Sequence, residues 1–130
     1  MWTYNQNVKP PAPFIDIIIS HVENSEQTAQ VRAKIDSGAD ITAIPISLID
    51  QLELPITKKI IARGYDATPI SVFTYSVSLE IAEVRFKNLR VIASPRDYVI
   101  LGRDVLNRFY LNLNGPDLNF ELDYPFDRGD

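Results

Sequence analysis

Ile35-Asp36-Ser37-Gly38-Ala39-Asp40 and Val99-Ile100-Leu101-Gly102-Arg103-Asp104 are the two stretches around which this chain is organised. In each, an apolar strand runs into a glycine-containing turn and then a short helical segment. Ile35 through Leu52 is thus echoed weakly by Val99 through Phe109. The first stretch ends its strand on a carboxylate. A carboxylate so placed does acid–base work when its turn presents it to a cleft and a second carboxylate stands nearby. Gly38 permits close backbone approach, and the Ser37 hydroxyl can hydrogen-bond across an interface. Taken alone, Asp-Ser-Gly is also an ordinary turn.

Working outward, the flanking sequence reads as short strands. Phe14 to Ser20, rich in isoleucine, is expected to be a largely buried strand, and His21 to Thr28 a polar hairpin loop. Gln30 to Ile35 puts Val31, Ala33 and Ile35 on one face, and Ile41 to Ile46 is strand-like. Ser47 to Leu52 predicts a short helix with Ser47 as N-cap and Asp50 in the first turn, ended by Pro55. Lys58 to Ala62 and Ser71 to Ile81 form a long hairpin around Arg63-Gly64-Tyr65-Asp66-Ala67. Its second strand alternates, with Phe73, Tyr75, Val77, Leu79 and Ile81 on one side. Val84 to Ala93 follows a tight turn at Ala82-Glu83, and Tyr98 to Leu101 is a short strand before a helix over Asp104 to Phe109. Leu111 to Leu113 and Leu118 to Leu122 flank the turn Asn114-Gly115-Pro116-Asp117. The pattern predicts a mostly-β protein, a small closed or sandwich-like barrel with two short helices. Residues 1–130 are read as one domain, with residues 1–13 an arm set off by Pro10-Pro11-Ala12-Pro13 and 123–130 a polar tail.

Composition narrows the chemistry. There is no cysteine, so disulfides, thiol nucleophiles and thiolate metal sites are excluded. The single histidine, His21, excludes multi-histidine metal sites and reads as a solvated loop residue. Asp36 and Asp40 do not fit a calcium loop, and no phosphate-binding or nucleophile-elbow motif is present. The net charge of −4 argues against a nucleic-acid partner. No apolar run approaches the roughly 20 residues that span a bilayer, so no membrane association is expected. The opening Met1-Trp2-Thr3-Tyr4-Asn5-Gln6-Asn7 has neither a basic nor an apolar leader region, which predicts a cytoplasmic protein.

In these two motifs, their order and the hairpin between them, the chain resembles the retropepsins, the retroviral-type aspartic proteases. The likeness covers Phe14 to Leu122, and the helix-like Ser47 to Leu52 is closer to cellular or bacterial members than to the compact viral ones. The resemblance implies a small closed β-barrel active as a homodimeric endopeptidase on extended peptide or protein substrates, with no metal or organic cofactor. It implies Asp36 as the catalytic carboxylate, braced by Ser37 and Gly38. Ala39 and Asp40 would line the substrate groove, and Arg63, Gly64 and Tyr65 would meet substrate from a flap-like hairpin. Gly102 and Arg103 would support the active site, Arg103 by a bidentate pair with Asp40. Read without the resemblance, Arg63 belongs with Lys58 and Lys59 to a solvated face, Tyr65 is an exposed aromatic, and Asp40 with Arg103 is a structural ion pair. A non-catalytic peptide-binding or oligomerisation module of the same fold is the alternative.

The carboxylate count leads to the dimer. Hydrolysis of this kind needs one carboxylate to take a proton from water and another to give one to the carbonyl oxygen. The chain has one Asp-Ser-Gly, so a two-fold axis must supply the second. Trp2 to Asn5 and Leu118 to Leu122, strand-like and near the chain ends, are expected to build an intersubunit sheet.

Overall fold

The computed structural model describes residues 1–63 and 68–125, with side chains omitted at 62 and 63. Its largest sheet closes on itself. Strand β2 (Phe14–His21) pairs antiparallel with β3 (Thr28–Ile35), and β3 runs parallel to β8 (Val99–Leu101). Next come β4 (Ala43–Pro45), β7 (Val84–Ser94) and β6 (Pro69–Ile81), and β6 returns to β2 through Ile18↔Glu80 to His21↔Val77. These six strands make a closed barrel. The β5 strand (Ile56–Arg63) lies outside the closure, paired only with the first half of β6.

The barrel closes because alternate residues converge on one interior. Ile15, Ile17 and Ile19 of β2 meet Val77, Leu79 and Ile81 of β6 and Val99 and Leu101 of β8, all buried. β2 is therefore half-buried rather than buried throughout: Asp16 faces out, and Ile18 is 40% exposed. The alternation expected along β6 holds only from Val77 onward. In its first half the phase inverts, so that Phe73 is 49% exposed while Thr74 is fully buried. Register shifts between Ile56 and Lys58 and between Val77 and Leu79 mark bulges whose extra residues lie in the partner strands β5 and β7, so neither bulge re-aims the side chains of β6. Thr74 satisfies its hydroxyl on Thr57 Oγ1 at 3.1 Å and on the Lys58 carbonyl at 3.2 Å.

Helix α1 (Ile46–Gln51) starts one residue earlier than the sequence predicts. Pro45 takes the cap position and no side chain caps it, so Ser47 lies inside the helix and the first turn has no acidic residue. Its end also differs. Glu53 adopts φ 54°, Glu53 N–H donates to Asp50 O at 3.2 Å and Leu54 N–H to Ile49 O at 3.1 Å, which closes the helix before Pro55. Helix α2 (Arg103–Leu106) is shorter than expected, because Arg108 and Phe109 bond back three residues to Val105 and Leu106. The Ala82-Glu83 turn has φ of 49° and 67°, the hairpin geometry whose twist suits the flanking strands.

A second sheet has the order β1 (Trp2–Thr3), β10 (Asn119–Asp123), β9 (Tyr110–Asn114). The two chain ends thus pair with each other within one subunit, Trp2 opposite Phe120 and Thr3 opposite Asn119. The Trp2 ring stacks on Phe120 at 5.7 Å, and Tyr4 approaches the same ring at 6.1 Å. The proline cluster folds the arm back through reciprocal Asn5–Ala12 backbone bonds rather than releasing it as a linker. β10 runs to Asp123, and Tyr124 packs on Phe109 at 5.7 Å.

Candidate active site

β3 ends at Ile35, and the backbone turns at once. Asp36 N–H still bonds across to Leu101 O at 3.1 Å, then Ala39 N–H folds back to Asp36 O at 3.2 Å. The Asp36 carboxylate is held inside its own turn: Gly38 N–H donates to Oδ1 at 3.0 Å. A Cβ on Gly38 would stand 3.2 Å from that same oxygen and crowd it. Asp36 is half-buried, while Ser37 and Gly38 are exposed.

The second glycine turn packs directly beneath. A Cβ on Gly102 would meet the backbone carbon of Ile41 at 2.8 Å and the Ala39 carbonyl oxygen at 3.0 Å, so only glycine fits without moving main chain. Arg103 N–H donates to that Ala39 oxygen at 2.9 Å. The Arg103 side chain divides its fork. One nitrogen donates to the Ser37 carbonyl at 2.7 Å and another to Asp40 Oδ1. This replaces the expected bidentate pair with Asp40 and straddles the turn instead, gripping it at both ends. Both partners are well exposed.

Two further residues, Thr42 and Asp104, lock the turns together, and sequence reasoning did not single them out. The fully buried Thr42 donates its hydroxyl to Asp104 Oδ1 at 2.7 Å and its N–H to Oδ2 at 3.0 Å, and its oxygen accepts from Gly102 N–H at 3.1 Å. Asp104 also accepts from Val105 N–H at 2.9 Å. The signal was available: Thr42 is the one hydroxyl in the apolar run Ile41 to Pro45, and a buried hydroxyl needs a partner.

Above the turn lies a cleft of about 700 Å³ lined by Asp36, Gly38, Ala39, Asp40, Ile41, Ala43, Ile60, Ile61, Ile92 and Ile100. Its polar groups cluster at the Asp36 turn, and its walls are aliphatic. The cleft brings together the predicted Asp36, Gly38, Ala39 and Asp40. Of Arg63 the structure gives the backbone, opposite Pro69 at the end of β5; Gly64 and Tyr65 lie outside the described residues. Among the described residues no group of three His, Asp or Glu side chains is placed to hold a metal ion, and no helix is long and apolar enough to cross a membrane.

A family model for aspartyl proteases matches residues 22–105, a span that contains both glycine turns, the cleft and the hairpin. The chain belongs to the aspartyl protease family. Its fold is the retropepsin-like one. It is similar to a retropepsin-like aspartic protease from Rickettsia conorii, at 23% identity and a TM-score of 0.63, over 95% of this chain and 88% of that one. It is also similar to the EIAV protease solved with the inhibitor HBY-793, at 19% identity and a TM-score of 0.56, over 81% and 91% of the two chains. For the simian foamy virus protease the values are 21% and 0.54, over 73% and 92%. No curated protein sequence matches the chain. These likenesses are likenesses of fold.

Proposed function

We propose that this aspartyl protease family member is a homodimeric endopeptidase, in which a water held between two Asp36 carboxylates, one from each subunit, attacks the peptide carbonyl. The observation that carries the reading is the Asp36 carboxylate fixed by Gly38 N–H at the base of a cleft with aliphatic walls. Two carboxylates at close range share one proton. The ionised one takes a proton from water as the oxygen attacks, and the protonated one gives its proton to the carbonyl oxygen. The carboxyl that took the water proton then gives it to the leaving nitrogen as the C–N bond breaks, and the other carboxylate takes a proton from a hydroxyl of the intermediate, which leaves the acid product and restores the pair's single proton. Neither step calls for a metal.

The neighbours take supporting roles in this reading. Gly38 orients the carboxylate, and Ser37 braces the turn at the subunit boundary. Ala39 lines the groove, and the Asp40 carboxylate accepts from substrate amides. Arg63, Gly64 and Tyr65 approach an extended peptide from the β5–β6 hairpin, whose Ile60 and Ile61 already form one cleft wall. Gly102 and Arg103 hold the turn from beneath. Residues 1–130 act as one domain, with the arm closing on β10.

The test is incubation with a diverse peptide library, native chain against Asp36→Asn, read by mass spectrometry. Cleavage by the native chain alone is expected. Peptides retained intact by both would identify a peptide-holding module and overturn the endopeptidase reading.

A further inference from the structure

β3 and β8 run side by side into the two glycine turns, and their outward faces lead away from the cleft. Ala33 and Ile35 of β3 and Val99 and Leu101 of β8 are buried in the barrel, so Arg32, Lys34, Tyr98 and Ile100 point outward. Ile100 lines the cleft and stands opposite Lys34 in the ladder. Lys34 lies two residues before Asp36, about 7 Å along the strand. Resting on the endopeptidase reading above, we propose that Lys34 and Arg96, set around an aromatic pair at this end of the cleft, form a cationic wall. It selects substrates that carry an acidic side chain within about three residues of the scissile bond.

Stacking holds the wall in place. The Phe14 ring of β2 meets the Tyr98 ring of β8 edge to face at 5.2 Å, so the two rings bridge over β3. The Arg32 guanidinium lies 5.4 Å from the Phe14 centroid and 5.7 Å from that of Tyr98, and the Arg96 guanidinium lies 5.7 Å from Tyr98. A ring face fixes a guanidinium without neutralising it, so less side-chain freedom is lost when an anion arrives. The three cations differ in the charge they leave free. Arg32 is balanced by Asp97 at 3.5 Å and faces Asp16 across the ladder. Lys34 and Arg96 form no ion pair with any of the described residues. Lys34 is half-buried and Arg96 is exposed. These two uncompensated positive charges, in a chain of net charge −4, complement a substrate carboxylate. The two-fold axis of the proposed dimer repeats the wall beyond the scissile bond, so an acidic residue on either side of that bond is accepted.

The test takes a peptide that the native chain cleaves and exchanges Glu for Gln at each of the three positions on either side of the cut. At one position or more, the Glu peptide should have a kcat/KM about fivefold higher, the size expected of two partly exposed ion pairs, with the difference in KM. Raising the salt from about 50 mM to about 500 mM should bring the ratio toward one. The double variant Lys34→Gln, Arg96→Gln should remove the preference. The charge-conserving pair Lys34→Arg, Arg96→Lys should keep it, which a clamp that merely braces the loop before β8 would not require. Equal kcat/KM for Glu and Gln at every position overturns the wall and leaves the endopeptidase reading standing. So does a preference that survives high salt or the double Gln variant. A native chain that cuts no peptide at all overturns both.

Discussion

A methyl group at position 102 would sit 2.8 Å from the backbone carbon of Ile41, so Gly102→Ala forces the second turn away from the first. Overpacking of this kind costs about 1–3 kcal/mol. The variant should melt several degrees lower and lose kcat/KM, because Ala39 and Asp36 ride on the displaced main chain. An unchanged melting temperature by circular dichroism would mean that the turns slide apart freely. Arg103 is a different case. Its contacts are exposed, and exposed ion pairs contribute about 0–1 kcal/mol. Lysine cannot serve the Ser37 carbonyl and Asp40 at once, since it presents a single nitrogen where the guanidinium presents a fork. Arg103→Lys should therefore lower kcat/KM several-fold while the melting temperature moves little. Equal losses in both, measured side by side, would make Arg103 a stability residue only.

The β5–β6 hairpin shows what a one-dimensional pattern conveys and what it omits. Its existence, its strands and its place between the glycine turns follow from alternation and from the residues at its tip. The exposed Phe73 beside the buried Thr74 does not, because what covers each face of a strand is set by its neighbours in the fold and leaves no mark on the strand's own sequence. The same holds for the α1 ends. Glu53 in the left-handed region and Pro45 at the cap replace the glycine and serine that local chemistry favours, and packing of Leu48, Ile49 and Leu54 in the core offsets the difference. In the site, the Asp36 turn and Gly102 were legible as motifs, whereas the Thr42–Asp104 bond joins residues far apart in sequence and was not. Ile61 tests the hairpin's part in the cleft. It is 73% exposed, so Ile61→Asn should leave stability within about 0.5 kcal/mol. It should raise KM for peptides with apolar side chains by removing part of an aliphatic wall. An unaltered KM would remove Ile61 from the substrate's path.

For the whole molecule, the shared dyad proposed above would make activity a property of pairs. Native chain mixed with excess Asp36→Asn should, after subunit exchange, lose activity toward the square of the native fraction, because each mixed dimer holds one carboxylate. A linear dependence, measured by peptide turnover across mixing ratios, would show that one chain suffices. The pairing of β1 with β10 has a consequence of another kind, in time. Trp2 is the sole tryptophan, and its ring rests on Phe120, so its fluorescence reports a contact between residues more than a hundred apart in sequence. Joining residues this far apart is entropically costly until the intervening chain is compact. In stopped-flow refolding, the tryptophan signal should lag the far-ultraviolet circular dichroism of the barrel; a tryptophan change that came first would place the chain ends in the folding nucleus. On the ribosome the effect is starker: Trp2 is made more than a hundred residues before its stacking partner Phe120, and the arm must wait for every strand of the barrel that lies between them.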